Sequence, residues 1–253
     1  MTPPSVALVT GAATGIGRAT VLKLAGSTTP PGIAIGYHTT RPDETAQQAR
    51  QLGADVLCVQ VDVRDDAQVR AMIARVEQRF GRLDLLVNNA AITHWVPIKD
   101  LDALTDDLWH DVLDVDLVGA FRCVRAAARL LRAARGAVIN VASISGLLAA
   151  PTTSSLAYGA AKAGLMYLTR GLAVALAPEV RVNAVAPAFT DTTWMQRHYG
   201  DAYAEHIQRA AQTIPLGRVA SPEDVAEAIV SLARGSAFVT GQTLIVDGGL
   251  SLA

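Results

Sequence analysis

Short apolar runs rich in β-branched residues recur along this chain, and helical patterns alternate with them. VALV, IAIGY, VLCVQV, LDLLV, AVINV, VRVNAVA and TLIV are near-continuous rather than alternating in polarity. Strands of that kind are covered on both faces, the condition of a parallel sheet with helices on each side. The intervening segments, RATVLKLAG, residues 43–52, residues 66–80 and a long stretch from about 107 to 131, carry the period of half-buried helices. A βαβα succession without repeat or linker predicts an α/β fold, a doubly wound parallel sheet in a single domain spanning 1–253. With 253 residues, 51% of them hydrophobic, one core suffices.

Charge narrows the function. A net charge of −1 and no block of like charge leave no surface for nucleic acid. The start, MTPPSVALVTG, lacks a basic leader region, and the most apolar later stretch is broken by Arg170, so no membrane association is expected. Cys58 and Cys123 lie in apolar segments and read as buried thiols, consistent with a cytoplasmic protein. Small-molecule chemistry is what remains.

Three places carry it. The first strand runs into Thr10-Gly11-Ala12-Ala13-Thr14-Gly15-Ile16-Gly17 and then a helix. This is a phosphate-binding arrangement, in which backbone N–H groups at the helix start meet an anion and glycines let it approach. Tyr158 and Lys162 stand four residues apart on a helix, so an ammonium can share a face with a phenol and favour its ionised form. Ser143 ends the strand-like run GAVINVAS just upstream. Between about residues 188 and 215 the periodicity fails, and Phe189, Trp194, Met195, His198, Tyr199 and Tyr203 gather there. A substrate lid and a plain surface helix hairpin are both compatible with that composition. Ser221-Pro222-Glu223-Asp224 predicts a capped helix start.

Taken in order, Thr10-Gly11-x-x-x-Gly15-x-Gly17, Asp62-Val63, Asn88-Asn89-Ala90, Ser143, Tyr158-x-x-x-Lys162 and Val246-Asp247-Gly248-Gly249 resemble the short-chain dehydrogenase/reductase family over essentially the whole chain. The resemblance implies a Rossmann-like sheet of about seven strands, a nicotinamide cofactor, and hydride transfer to or from a carbonyl or secondary alcohol. It also implies a homotetramer or homodimer. By position, Tyr158 is the proton donor, Ser143 holds the substrate oxygen, and Lys162 lowers the tyrosine pKa and binds the nicotinamide ribose. Gly11, Thr14, Gly15, Ile16 and Gly17 face the pyrophosphate, Asp62 and Val63 the adenine, Asn89 and Ala90 the ribose side. Pro187, Thr190 and Thr192 belong to the carboxamide end. Ser145, thirteen residues before Tyr158, is the alternative to Ser143; choosing Ser143 leaves the loop LLAAPTTSSLA two residues longer than usual.

Three positions depart from the family pattern. Ala91 and Ala188 stand where glycine is usual, and Asp116 stands where an asparagine completes the catalytic group. An ionised Asp116 near Lys162 would stabilise the ammonium yet weaken the positive field at Tyr158; the alternative is an exposed helix aspartate without effect. Asp111 and Asp114 read as a solvated face. Where an NAD-binding chain carries a carboxylate for the ribose 2′-OH, this one has Tyr37 followed by His38, Thr39, Thr40 and Arg41. Two hydroxyls and a guanidinium suit a 2′-phosphate, so NADP(H) is expected in preference to NAD(H). A non-catalytic dinucleotide-binding sensor or scaffold of the same fold is the competing function.

Overall fold

Each apolar run becomes a strand: β1 Val6–Thr10, β2 Gly32–Tyr37, β3 Asp55–Gln60, β4 Leu85–Asn88, β5 Ala137–Val141, β6 Arg181–Pro187 and β7 Thr243–Val246. The computed structural model describes residues 6–149 and 154–252; the first five residues, residues 150–153 of the lengthened loop, and Ala253 lie outside these. All seven strands are parallel, in the order β3-β2-β1-β4-β5-β6-β7. The helices are α1 Gly15–Ala25, α2 Asp43–Gln51, α3 Asp66–Phe80, α4 Asp106–Leu113, α5 Ala120–Ala134, α6 Leu156–Leu176, α7 Thr193–Tyr199, α8 Tyr203–Thr213 and α9 Pro222–Arg234.

The period of two along β1 shows why the strand had to be apolar throughout. Val6 and Leu8 pack with Val69 and Met72 of α3, Val124 and Leu131 of α5 and Leu172 of α6. Ala7 and Val9 face the other way, onto Val21 and Leu24 of α1, Ala46 of α2 and Ile229 of α9. A polar residue at either set would be buried without a partner.

Chain order reverses between β1 and β4, and their carboxyl ends open the crevice in which open α/β sheets bind ligands. Side chains weld the two ends together. Asn89 and Ala90 each donate a backbone N–H to Thr10 Oγ1 at 3.1 Å, and Asn89 Nδ2 donates to the carbonyls of Thr10 and Gly11 at 3.0 Å. A buried relay, Asn88 Nδ2 to Asn140 and Asn140 Nδ2 to Thr169, both 2.9 Å, fixes α6 against β4 and β5.

Four expectations need adjusting. The long helix is interrupted by a π turn at Asp114–Gly119. The aromatic segment is not irregular throughout, but folds as α7 and α8 joined by a tight turn at Gly200–Ala202. Cys123 is buried, whereas Cys58, on β3, is only half-buried. Asp111 and Asp114 are not simply solvated, since they pair with Arg64 and Arg122. Among the described residues no helix is long and apolar enough to cross a membrane.

Candidate active site

A cavity of about 950 Å³ lies between the glycine turn, the ends of β4, β5 and β6, and the α7–α8 segment. Of the residues singled out in the sequence, Gly11, Thr14, Gly15, Ile16, Asn89, Ser143, Tyr158, Lys162, Pro187, Thr190 and Thr192 line it, as does Ser145. Gly17 and Ala90 do not. A Cβ on Gly17 would stand 2.6 Å from Asn89 Nδ2, and one on Gly11 2.8 Å from the Ala90 Cα. Gly17 therefore packs the turn tightly against Asn89, just beyond β4.

The helix that starts at this turn is left open. Ser221 with Asp224 caps α9, where the sequence predicts a capped start, and Asp65 caps α3, but no side chain caps α1. The first N–H groups of a helix need acceptors and carry the positive end of its dipole. Gly15, at φ 57°, adds no Cβ to the passage between this helix start and Thr192. An uncapped helix start facing a cavity fits a dinucleotide's pyrophosphate, with Gly11, Thr14, Gly15 and Ile16 around it.

At the other end of the cavity Ser143, Tyr158 and Lys162 converge. Ser155 caps α6 by accepting the Tyr158 N–H, which fixes where that helix begins. Ser143 stands close enough to the Tyr158 phenol to favour its ionised form, and its Oγ accepts the Ser145 N–H at 3.1 Å, so the two serines are connected. Both line the cavity. Lys162 is 2% exposed, donates to the Val141 carbonyl at 3.1 Å, and lies 5.3 Å from the Tyr158 ring centre.

Asp116 is far from an exposed helix aspartate. It is 1% exposed, its Oδ1 accepts the Ile92 N–H at 2.8 Å, and its Oδ2 faces Lys162 Nζ at 3.1 Å. The π turn explains how it gets there. Val112, Asp116, Ala120 and Val124 are all buried, and four residues overshoot one α-helical turn by about 40°. Three such steps would carry the stripe off the core face. The extra residue in the π turn takes up the overshoot.

Electrostatics follow from this burial. Burial pushes Asp116 above the usual carboxylate range, opposed by Lys162 and the Ile92 N–H. Burial works to lower Lys162, but the charges of Asp116 and Tyr158 outweigh it and hold the ammonium above its ordinary value. At Tyr158 the ammonium acts in the expected direction, but burial outweighs it. Burial raises it, Lys162 pulls it down, and Asp116 pushes it up again, leaving it above a free phenol.

The ribose-end residues are laid out differently. His38, Thr39, Thr40, Arg41, Asp62 and Val63 lie outside the cavity, at the ends of β2 and β3. Arg41 is exposed and bonds both oxygens of Asp43, at 2.9 and 3.2 Å. Asp62 binds Arg64 at 2.7 Å and lies 3.6 Å from His38, so its carboxylate is already engaged. Arg64 continues to Asp111, and Asp111 to His94 at 2.9 Å, linking this end to the loop that carries Trp95.

Trp95, which by its place just after β4 reads either as pocket lining or as part of a surface turn, lines the cavity together with Trp194 and Arg197, to which the sequence assigns no individual role. Trp194 lies 6.2 Å from Tyr158 and 6.4 Å from Trp95, and His198 stacks on Trp95 at 3.5 Å. The clustering of aromatic residues in 188–215 was the legible signal; the partner, Trp95, is a hundred residues away in sequence.

Comparison with known proteins agrees. A family model described as enoyl-(acyl carrier protein) reductase matches residues 11–251. Cis-4-hydroxycyclohexanecarboxylate dehydrogenase of Sinomonas cyclohexanicum is 42% identical over 96% of this chain and 95% of its own length. The 3-oxoacyl-(acyl-carrier-protein) reductase FabG of Staphylococcus aureus is 36% identical, over 96% and 97%. Levodione reductase superposes with a TM-score of 0.89 at 27% identity, covering 98% of each chain. The chain belongs to the short-chain dehydrogenase/reductase family, and it is an oxidoreductase acting on alcohol and carbonyl groups. The sensor or scaffold reading gives way to this one.

Proposed function

We propose that this enzyme transfers hydride between NADP(H) and a small ketone or secondary alcohol, with Tyr158 as the acid/base. The observation that carries the reading is the convergence of Ser143, Tyr158 and Lys162 on one cavity whose far end is an uncapped helix start. The nicotinamide, when bound, supplies or accepts the hydride. Negative charge builds on the substrate oxygen as hydride arrives, and Ser143 and Tyr158 offer hydrogen-bond donors there. Tyr158 gives up its proton, and the phenolate that remains faces Lys162. Lys162, held by Asp116 and Val141, also reaches the nicotinamide ribose, while Pro187, Thr190 and Thr192 border the carboxamide. Asp62, Val63, Asn89 and Ala90 flank the adenosine half.

NADP(H) is supported by Tyr37 at the end of β2, where no acid opposes a 2′-phosphate, and by His38, Thr39, Thr40 and Arg41 beside it. The α7–α8 segment, about 188–215, acts as the substrate lid, pinned to the Trp95 loop by ring stacking. Exposed Phe121, Tyr167 and Val174 on α5 and α6, with Leu244 and Ile245 on β7, suit a homotetramer or homodimer; free Cys58 and Cys123 suit the cytoplasm.

The test is cofactor consumption across β-keto esters, acyl thioesters, diketones and cyclic ketones, with NADPH and NADH compared. The reading expects a lower KM for NADPH, and Tyr158→Phe to cut kcat by about 10²–10⁴-fold without unfolding. A lower KM for NADH overturns the cofactor assignment, and full activity in Tyr158→Phe overturns the proton donor.

A further inference from the structure

The cavity has a charge pattern that the hydride-transfer reading leaves unused. Three of its lining residues are cationic, Lys162, Arg197 and Arg209, and none is an aspartate or glutamate. Lys162 is answered by Asp116 at 3.1 Å, and Arg209 has Glu205 at 3.7 Å, one turn earlier on α8. Among the described residues, Arg197 has no carboxylate partner at all.

Its place along α7 gives that charge a direction. Arg197 follows Trp194 by three residues, which puts the two on neighbouring positions of one helix face, with side-chain roots about 5–6 Å apart. Trp194 is the ring against Tyr158, and His198, next to Arg197, is stacked on Trp95. The cavity therefore joins an acid/base at Tyr158, indole surfaces beside it and, on the helix that carries Trp194, a guanidinium. A molecule whose carbonyl sits at Tyr158 lays its body against Trp194 and Trp95 and ends near Arg197.

We propose that the substrate is a cyclic ketone or secondary alcohol bearing a carboxylate, and that Arg197 is the residue that selects for it. This rests on the hydride-transfer reading and adds the substrate's charge to it. A guanidinium recognises a carboxylate with two parallel N–H donors, and the flat indoles favour a ring over a flexible chain. The carboxylate takes no part in the reaction. Its contact is equal in ground and transition states, so it acts on KM more than on kcat.

The experiment compares 4-oxocyclohexanecarboxylate with its methyl ester, using NADPH, in the wild-type enzyme, Arg197→Gln and Arg197→Lys. A neutral β-keto ester serves as the reference for the reaction itself. The expected result is a lower KM for the acid than for the methyl ester in the wild type. Arg197→Gln raises the KM for the acid about tenfold, so that the preference collapses, and Arg197→Lys restores part of it. Equal KM values for acid and ester in the wild type overturn the proposal, as does a preference that survives Arg197→Gln. A matching rise in the KM for NADPH in Arg197→Gln also overturns it, by assigning the guanidinium to the cofactor. Turnover of the β-keto ester without turnover of either cyclic compound refutes this substrate class while leaving the reaction standing; failure of all three refutes both. A phosphopantetheine thioester handled better than the free acid, and lost in Arg197→Gln, gives Arg197 to a phosphate and refutes the carboxylate.

Discussion

Two charged clusters sit at the carboxyl edge of the same sheet, and they are built on opposite principles. At β5 and α6, Lys162 and Asp116 are buried within 3.1 Å of each other, and each is also bound to a backbone group, Val141 or Ile92. At the end of β2, Arg41 and Asp43 pair in full exposure, two residues apart, with no backbone anchor. Buried ions lose their hydration and depend on their partners, whereas exposed ions exchange one partner for another at little cost. The first cluster therefore holds its geometry before any ligand arrives. The second is free to give up Asp43 for a phosphate.

Breaking the buried pair gives the largest effect. Lys162→Met leaves the buried Asp116 carboxyl without its cation, whether it stays ionised or takes up a proton, and loss of about 3–5 kcal/mol of stability is expected, read as a lower denaturation midpoint. Adding Asp116→Asn to it should recover most of that loss. If Lys162→Met unfolds no more easily than the wild type, the pair is not the rigid element described.

The next effect is on pH. With Tyr158 as the proposed proton donor, carbonyl reduction needs a protonated phenol, so activity should fall as pH rises through the Tyr158 pKa. The Asp116 charge raises that pKa. Asp116→Asn should therefore lose reductase activity at lower pH than the wild type, and its alcohol oxidation should begin to rise at lower pH. Superimposable pH–rate profiles would show that the aspartate does not act on the tyrosine.

The exposed pair should respond least. Arg41→Ala is expected to raise the KM for NADPH by roughly two- to fivefold, with the KM for NADH and the denaturation midpoint unmoved. Asp43→Asn should shift the NADPH value the other way, by releasing the guanidinium. Changes of equal size for both cofactors would place the 2′-phosphate away from Arg41.

The same contrast governs what could be read without coordinates. Strands were legible because both faces of β1 must be apolar, and the glycine turn because a tight strand-to-helix turn needs residues without Cβ. Tyr158 and Lys162 were legible because helix geometry alone makes them neighbours. The depth of Asp116 was not, since a four-residue stride runs off one face of a regular helix, and only the π turn at Asp114–Gly119 brings it back. Trp95 with His198 could not be paired from the sequence, because a ring contact between distant segments leaves no local spacing. The hold of Asp43 on Arg41 lay within two residues and was there to be seen.

The π turn makes chain length itself a structural quantity between Trp109 and Phe121. A residue added to or removed from a surface loop such as 26–31 alters a path that solvent tolerates. A residue added here rotates everything beyond it by about 100° around the helix axis, and one removed straightens the π turn that seats Asp116. Arg125, now paired with Asp66 at the surface, would be turned toward the sheet, or Asp116 away from Lys162. In this interval the molecule counts its residues, and the ammonium beside Tyr158 stays in place only while the count is kept.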